Sequence, residues 1–147
     1  MKRLLLFGLT AAVVFGACVG PSRTDRDYRR KVANTAEAVI SAVESARLTA
    51  DLATAGRAPA PYVALRLSES EESAAAVETG FAAVQPPNRE LDDLRTETLD
   101  AVGAATEVLA RLRIAAYRGE LHELREIALE LEGPVGRLRD LTKVATS

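Results

Sequence analysis

The stretch DRDYRRKVANTAEAVISAVESARLTADLATAG, residues 25–56, decides the fold. Within it Tyr28, Val32, Ala36, Val39, Val43, Ala46, Ala50 and Ala53 recur at intervals of three and four, the spacing that lines one face of an α-helix. Thr24 stands ahead of Asp25 and Asp27 as an N-cap. The two carboxylates then fall in the first turn, where they accept from free N–H groups and oppose the helix dipole. Gly56 closes the segment because glycine readily enters the left-handed conformation that ends a helix, and Pro59 and Pro61 forbid continuation. The pattern predicts a helix over about residues 25–55.

The same ladder repeats downstream. A second helix, about 61–84, carries Val63, Leu67, Ser70, Ala74, Val77, Phe81 and Val84. Gln85-Pro86-Pro87 breaks it, and Asn88 is the expected cap of a third, about 89–118, with Leu91, Leu94, Thr98, Val102, Ala105, Leu109, Leu112 and Ala116 inward. A fourth follows Gly119 and runs to about residue 144 on Leu121, Leu124, Ala128, Leu131, Val135, Leu138, Thr142 and Ala145. Gly133-Pro134 inside it predicts a kink, with a break into two helices as the alternative. No segment alternates with a period of two, so strands are not expected. Four amphipathic helices joined by short links bury their stripes against one another, which makes the expected fold all-α, a four-helix up-down-up-down antiparallel bundle over 25–147. Sliding the first helix by 63 positions places Thr35, Val39, Glu44 and Gly56 on Thr98, Val102, Glu107 and Gly119, an echo that a shared heptad frame explains.

Ahead of the bundle, Lys2 and Arg3 precede an apolar run from Leu4 to Phe15, then Gly16, Ala17 and the only cysteine, Cys18. The run is shorter than the roughly 20 residues a bilayer span needs. Its three parts are those of an export signal. Phe15-Gly16-Ala17-Cys18 resembles the lipobox of bacterial lipoproteins, with Phe15 where leucine is commonest. That resemblance implies cleavage between Ala17 and Cys18 and a diacylglycerol on the Cys18 thiol. The rivals are an ordinary secretory cut after Ala17, which the large Phe15 disfavours, and a buried structural cysteine. The expected division is therefore a signal peptide over 1–17, a lipidated cysteine and tether over 18–24, and the bundle over 25–147. The Ala, Arg and Val usage and the Gln85-Pro86-Pro87 break also resemble small helical envelope lipoproteins of high-GC bacteria, a likeness that transfers no functional residue.

Removing residues 1–17 leaves 130 residues with 17 basic and 21 acidic side chains, a formal charge of −4 (17 − 21). That balance argues against nucleic acid, whose phosphates require a concentrated cationic surface. With Cys18 committed to lipid, no thiol remains for a disulfide, so the domain folds by packing alone.

Two clusters are candidates for contact. If the first hairpin turns near residue 58, Arg47 faces Glu69 and Asp51 faces Arg66, and these four form either a solvated face of weak ion pairs or a polar layer that fixes register or lines a pocket. Tyr62, Tyr117, Arg57 and Arg118 all fall at the bundle end remote from the tether, about 45 Å from the start of the first helix. Aromatic and arginine side chains suit a binding surface there.

No catalytic constellation is legible. The single histidine, His122, with Glu126 four residues on, offers two ligands where zinc requires three or four. The glycine-flanked serine elbow and the glycine-rich phosphate loop are both missing from the sequence. No catalytic residue, metal or cofactor is expected. The expected function is that of an exported lipoprotein anchored to the outer face of the bacterial cell membrane, its bundle binding or spacing another envelope protein. The alternative is a carrier or sensor of a small ligand held between the helices.

Overall fold

The computed structural model describes residues 22–147. The expected signal segment over 1–17, the expected cleavage point Ala17–Cys18 and the expected lipidation site Cys18 lie outside the described residues. Five α-helices follow in order: α1 (Asp25–Thr54), α2 (Ala60–Ala82), α3 (Asp92–Tyr117), α4 (Leu124–Leu129) and α5 (Glu132–Thr146), with a 3-10 turn at Arg89–Leu91 before α3.

Cross-links between helices set their directions. Asn88 Nδ2 donates to Asp25 Oδ1 at 2.8 Å, so α3 begins where α1 begins and the two run parallel. Arg29 donates to the Val144 carbonyl at 3.2 Å, bringing the end of α5 to that same end. Arg125 meets Asp51 at 3.5 Å at the opposite end. The result is the up-down-up-down all-α bundle, its fourth arm made of α4 and α5. Helix α1 packs against all the others, touching α3 across the diagonal, whereas α2 packs mainly on α1 and α3.

The α1 ladder is buried at each of its eight positions. Thr24 caps it as the sequence indicates, its Oγ1 accepting from the Asp27 N–H at 3.1 Å. Helices α1 and α3 end alike. Gly56 and Gly119 have φ of 67° and 77°, and the next residues, Arg57 and Glu120, donate back to Leu52 and Ala115 at 2.8 and 3.0 Å. These are Schellman closures, which satisfy carbonyls that a helix end otherwise leaves open. Asn88 differs from expectation: it makes no side-chain cap bond, and its Nδ2 donates to Asp25 across the bundle.

The fourth arm resolves the choice at Gly133-Pro134. The chain leaves regular α-helix a turn earlier, at Glu130 and Leu131, both still right-handed. Proline has no N–H for the Glu130 carbonyl and its ring would crowd that carbonyl, so the helix yields four residues before the proline. Glu130 and Leu131 donate instead three residues back, to Ile127 and Ala128, in a 3-10 joint. The arm is thus broken into two helices, the alternative to a kink, and Leu131 stays fully buried across the joint. The arm also starts later than expected, since residues 121–123 form a turn.

Tyr28 anchors the end where α1 begins. It is fully buried, its ring 6.0 Å from Phe81 and tilted by 42°, and among the described residues its hydroxyl finds no hydrogen-bond partner. Burial pushes the phenol pKa up, since desolvation penalises the phenolate. A raised folded value means that stability is intact below the ordinary phenol range and is lost as pH rises through it. Tyr28→Phe is expected to raise the unfolding free energy by about 1 kcal/mol at neutral pH, because an unpartnered buried hydroxyl costs on that order. It should also lessen the alkaline loss above about pH 10. Urea titrations of both proteins at neutral and alkaline pH check this, and parallel losses would contradict it.

Candidate functional site

The polar run Ser68–Ser73 on α2 divides among three directions. Ser70 and Ser73 donate to the carbonyls four residues back, Arg66 and Glu69, at 3.0 and 2.7 Å. Arg66 pairs with Glu69 one turn on and donates to Ser45 of α1 at 3.2 Å. Glu71 turns the other way and pairs with Arg113 of α3, both side chains a third exposed or less. That carboxylate raises the Arg113 pKa above the usual guanidinium value through its hydrogen bond.

The expected pairs Arg47–Glu69 and Asp51–Arg66 do not form. Arg47 reaches Glu132 at 3.6 Å and Asp51 reaches Arg125 at 3.5 Å, while Glu44 meets Arg139 at 3.1 Å. The physical reason is helix phase. Ser45 marks the side of α1 that meets α2, and Arg47 lies two residues on, about 200° around the helix. Levels along a hairpin do not fix that rotation. The four residues therefore form no single polar layer; they split between the α1–α2 seam and the seam of α1 with α4 and α5.

Three bonds give little sign in the sequence. Arg95 donates to the Ala82 and Val84 carbonyls at 2.8 and 3.3 Å, closing α2 from the start of α3. Arg111 pairs with Glu130, and the guanidinium hydrogen bond holds the Glu130 carboxyl below the usual carboxylate range. The Glu71–Arg113 pair is the third.

At the end remote from residue 22, Tyr62 is the third residue of α2 and Tyr117 the last of α3, 47% and 65% exposed. Arg57 and Arg118 lie in the adjoining turns, exposed, and among the described residues neither joins an ion pair. The four residues share the end, as the sequence indicates, with Tyr62 and Tyr117 on different helices. Tyr117 lines a cleft of about 390 Å³ with Ser68, Glu71, Glu72, Ala75 and Arg113.

Other clefts are also open grooves along helix seams. One of about 450 Å³ between α1 and α2 is lined by small residues such as Ala38, Ser41 and Ser45 together with Arg66 and Glu69. Another, of about 350 Å³ between α3 and α5, includes Glu97, Asp100, Arg137 and Asp140. His122 is 81% exposed in the turn before α4, 3.7 Å from Glu123, so it does not share a helical face with Glu126. Among the described residues, no three His, Cys, Asp or Glu side chains are grouped to hold a metal, and no helix is long and apolar enough to cross a membrane.

What fold and site define is an all-α helical bundle with an exposed aromatic end. No family model, curated protein or solved structure matches the chain.

Proposed function

We propose that the protein is a lipid-tethered envelope lipoprotein whose bundle holds a protein-contact surface away from the membrane. The observation that carries this is the junction of signal and fold: Phe15-Gly16-Ala17-Cys18 ends six residues before the Thr24 cap of α1. With so short a link, lipid on Cys18 sets the start of α1 at the membrane. Helix α1, 30 residues long, then carries its far end about 45 Å out. The fully buried leucines and valines along the bundle axis favour a contact or spacing role over a carrier with an internal cavity.

The test is fractionation of the Cys18→Ser variant. Loss of the lipidation site is expected to move the processed protein from the membrane to the soluble fraction. Retention in the membrane through an uncleaved signal would mean that a signal anchor, not a lipid, holds the chain.

A further inference from the structure

The far end of the bundle is chemically unlike the near end. Among the described residues seven large apolar side chains are exposed: Leu48, Tyr62, Leu65, Ile114, Tyr117, Leu129 and Val144. All but Val144 lie in the far half. Leu48 is six residues from the end of α1, about 9 Å along the axis, and Leu65, Ile114 and the two tyrosines are closer still to the ends of their helices. Scattered single apolar residues need no explanation, but gathering at one end marks a contact region.

Charge is divided in the same way. Residues 44–72 and 106–132, the far half, hold 7 basic and 11 acidic side chains, a formal charge of −4 (7 − 11). The rest of the described chain holds 10 of each. Among the described residues, direct ion pairs leave two guanidiniums of the far half, Arg57 and Arg118, against four carboxylates, Glu72, Glu107, Glu120 and Glu126, of which Glu72 and Glu107 feel Arg113 and Arg111 at longer range.

The cleft between α2 and α3 combines both properties. Leu65 and Glu72 are two turns apart on one line of α2, and Ile114 and Tyr117 are one turn apart on α3. Inside the cleft Arg113 already answers Glu71. Glu72 accepts from the Ser68 hydroxyl at 3.5 Å and feels the Arg113 charge without bonding to it, so two carboxylates share one guanidinium in a cleft that Tyr117 also lines. A carboxylate next to an aromatic face is a receptor for an ammonium or guanidinium group. An anionic partner would meet net repulsion on this half, whereas a cationic one is attracted and oriented.

We propose that the α2–α3 cleft at the far end docks a basic, apolar-faced segment of another protein. A lysine or arginine of that segment sits between Glu72 and Tyr117 while its apolar face covers Leu65 and Ile114. This is the groove mode of recognition by an amphipathic segment. It rests on the tethered reading for the location of the partner alone, since the cleft is the same with or without lipid.

The test uses the full-length chain in zwitterionic nanodiscs and a fluorescent amphipathic Leu/Lys peptide of about 18 residues, with empty nanodiscs subtracted. Salt-sensitive binding is expected, weakened about tenfold by Glu72→Gln and by Tyr117→Ser. Both positions are exposed, so the fold survives the changes. Glu97→Gln, in the cleft between α3 and α5, should leave the affinity unchanged. A Leu/Glu peptide that binds as tightly, no binding of the Leu/Lys peptide to the unaltered chain, or Glu72 and Tyr117 variants that bind as the unaltered chain does would each overturn the proposal. Release of Cys18→Ser from membranes bears on the anchor and not on this cleft, so the two can fail separately.

Discussion

Leu109→Ala is expected to lower the unfolding free energy by about 3 kcal/mol, within the roughly 2–5 kcal/mol typical of buried leucines. Leu109 is fully buried on α3, the helix that touches α1 across the bundle diagonal as well as α2, α4 and α5. The Asn88–Asp25 bond sets the register of the two parallel helices. By that register Leu109 stands level with Ala46, also fully buried. Small side chains on α1 thus admit large ones from α3. Truncating Leu109 leaves alanine facing alanine, and neither helix can close the gap without disturbing the fully buried Leu67 and Leu112 elsewhere in the core. Ala46→Leu tests the same fit from the other side: overpacking there is expected to cost about 1–3 kcal/mol. Denaturant titration reads both, and two variants within about 0.5 kcal/mol of the parent would contradict this packing.

Gly119→Val is expected to cost about 1–2 kcal/mol or more, since a β-branched L-residue is strained at a φ of 77°. No atom lies within 4 Å of where its first side-chain carbon would sit, so the cost is conformational and not a clash. The consequence extends past the turn. The Schellman bonds at Gly119 and Glu120 fix where α3 ends and so where Tyr117 and Arg118 are presented. A thermal melt of Gly119→Val should show the loss in stability, and a melting temperature equal to the parent's would show that the turn does not require glycine.

The helices were legible in the sequence because periodicity and caps agree. Every ladder position from Tyr28 to Ala53 is buried, and Thr24, Gly56 and Gly119 act as their residue types suggest. The far end was legible too, because helix order alone places Tyr62 and Tyr117 together. The side-chain pairing was not. Arg47 and Asp51 sit at the levels expected, but their partners are Glu132 and Arg125, because the rotational setting of α1 depends on the packing of all its neighbours at once. The Asn88 side chain makes no cap bond and donates to Asp25 of another helix, an orientation that only the folded geometry decides. At Pro134 the residue type located the distortion, while its form, a 3-10 joint at Glu130 and Leu131, follows from a carbonyl four residues away. Glu71 and Glu72 are neighbours of the same type in one polar run, yet only Glu71 bonds Arg113 directly, while Glu72 feels the same guanidinium at longer range.

The most direct measurement of the proposed tether is intact-mass analysis of the N-terminal peptide from protein purified out of bacterial membranes. A peptide that begins at Cys18 and carries the added mass of a diacylglyceryl group on its thiol is the predicted result. A chain beginning at Met1, or a peptide with unmodified Cys18, would contradict it.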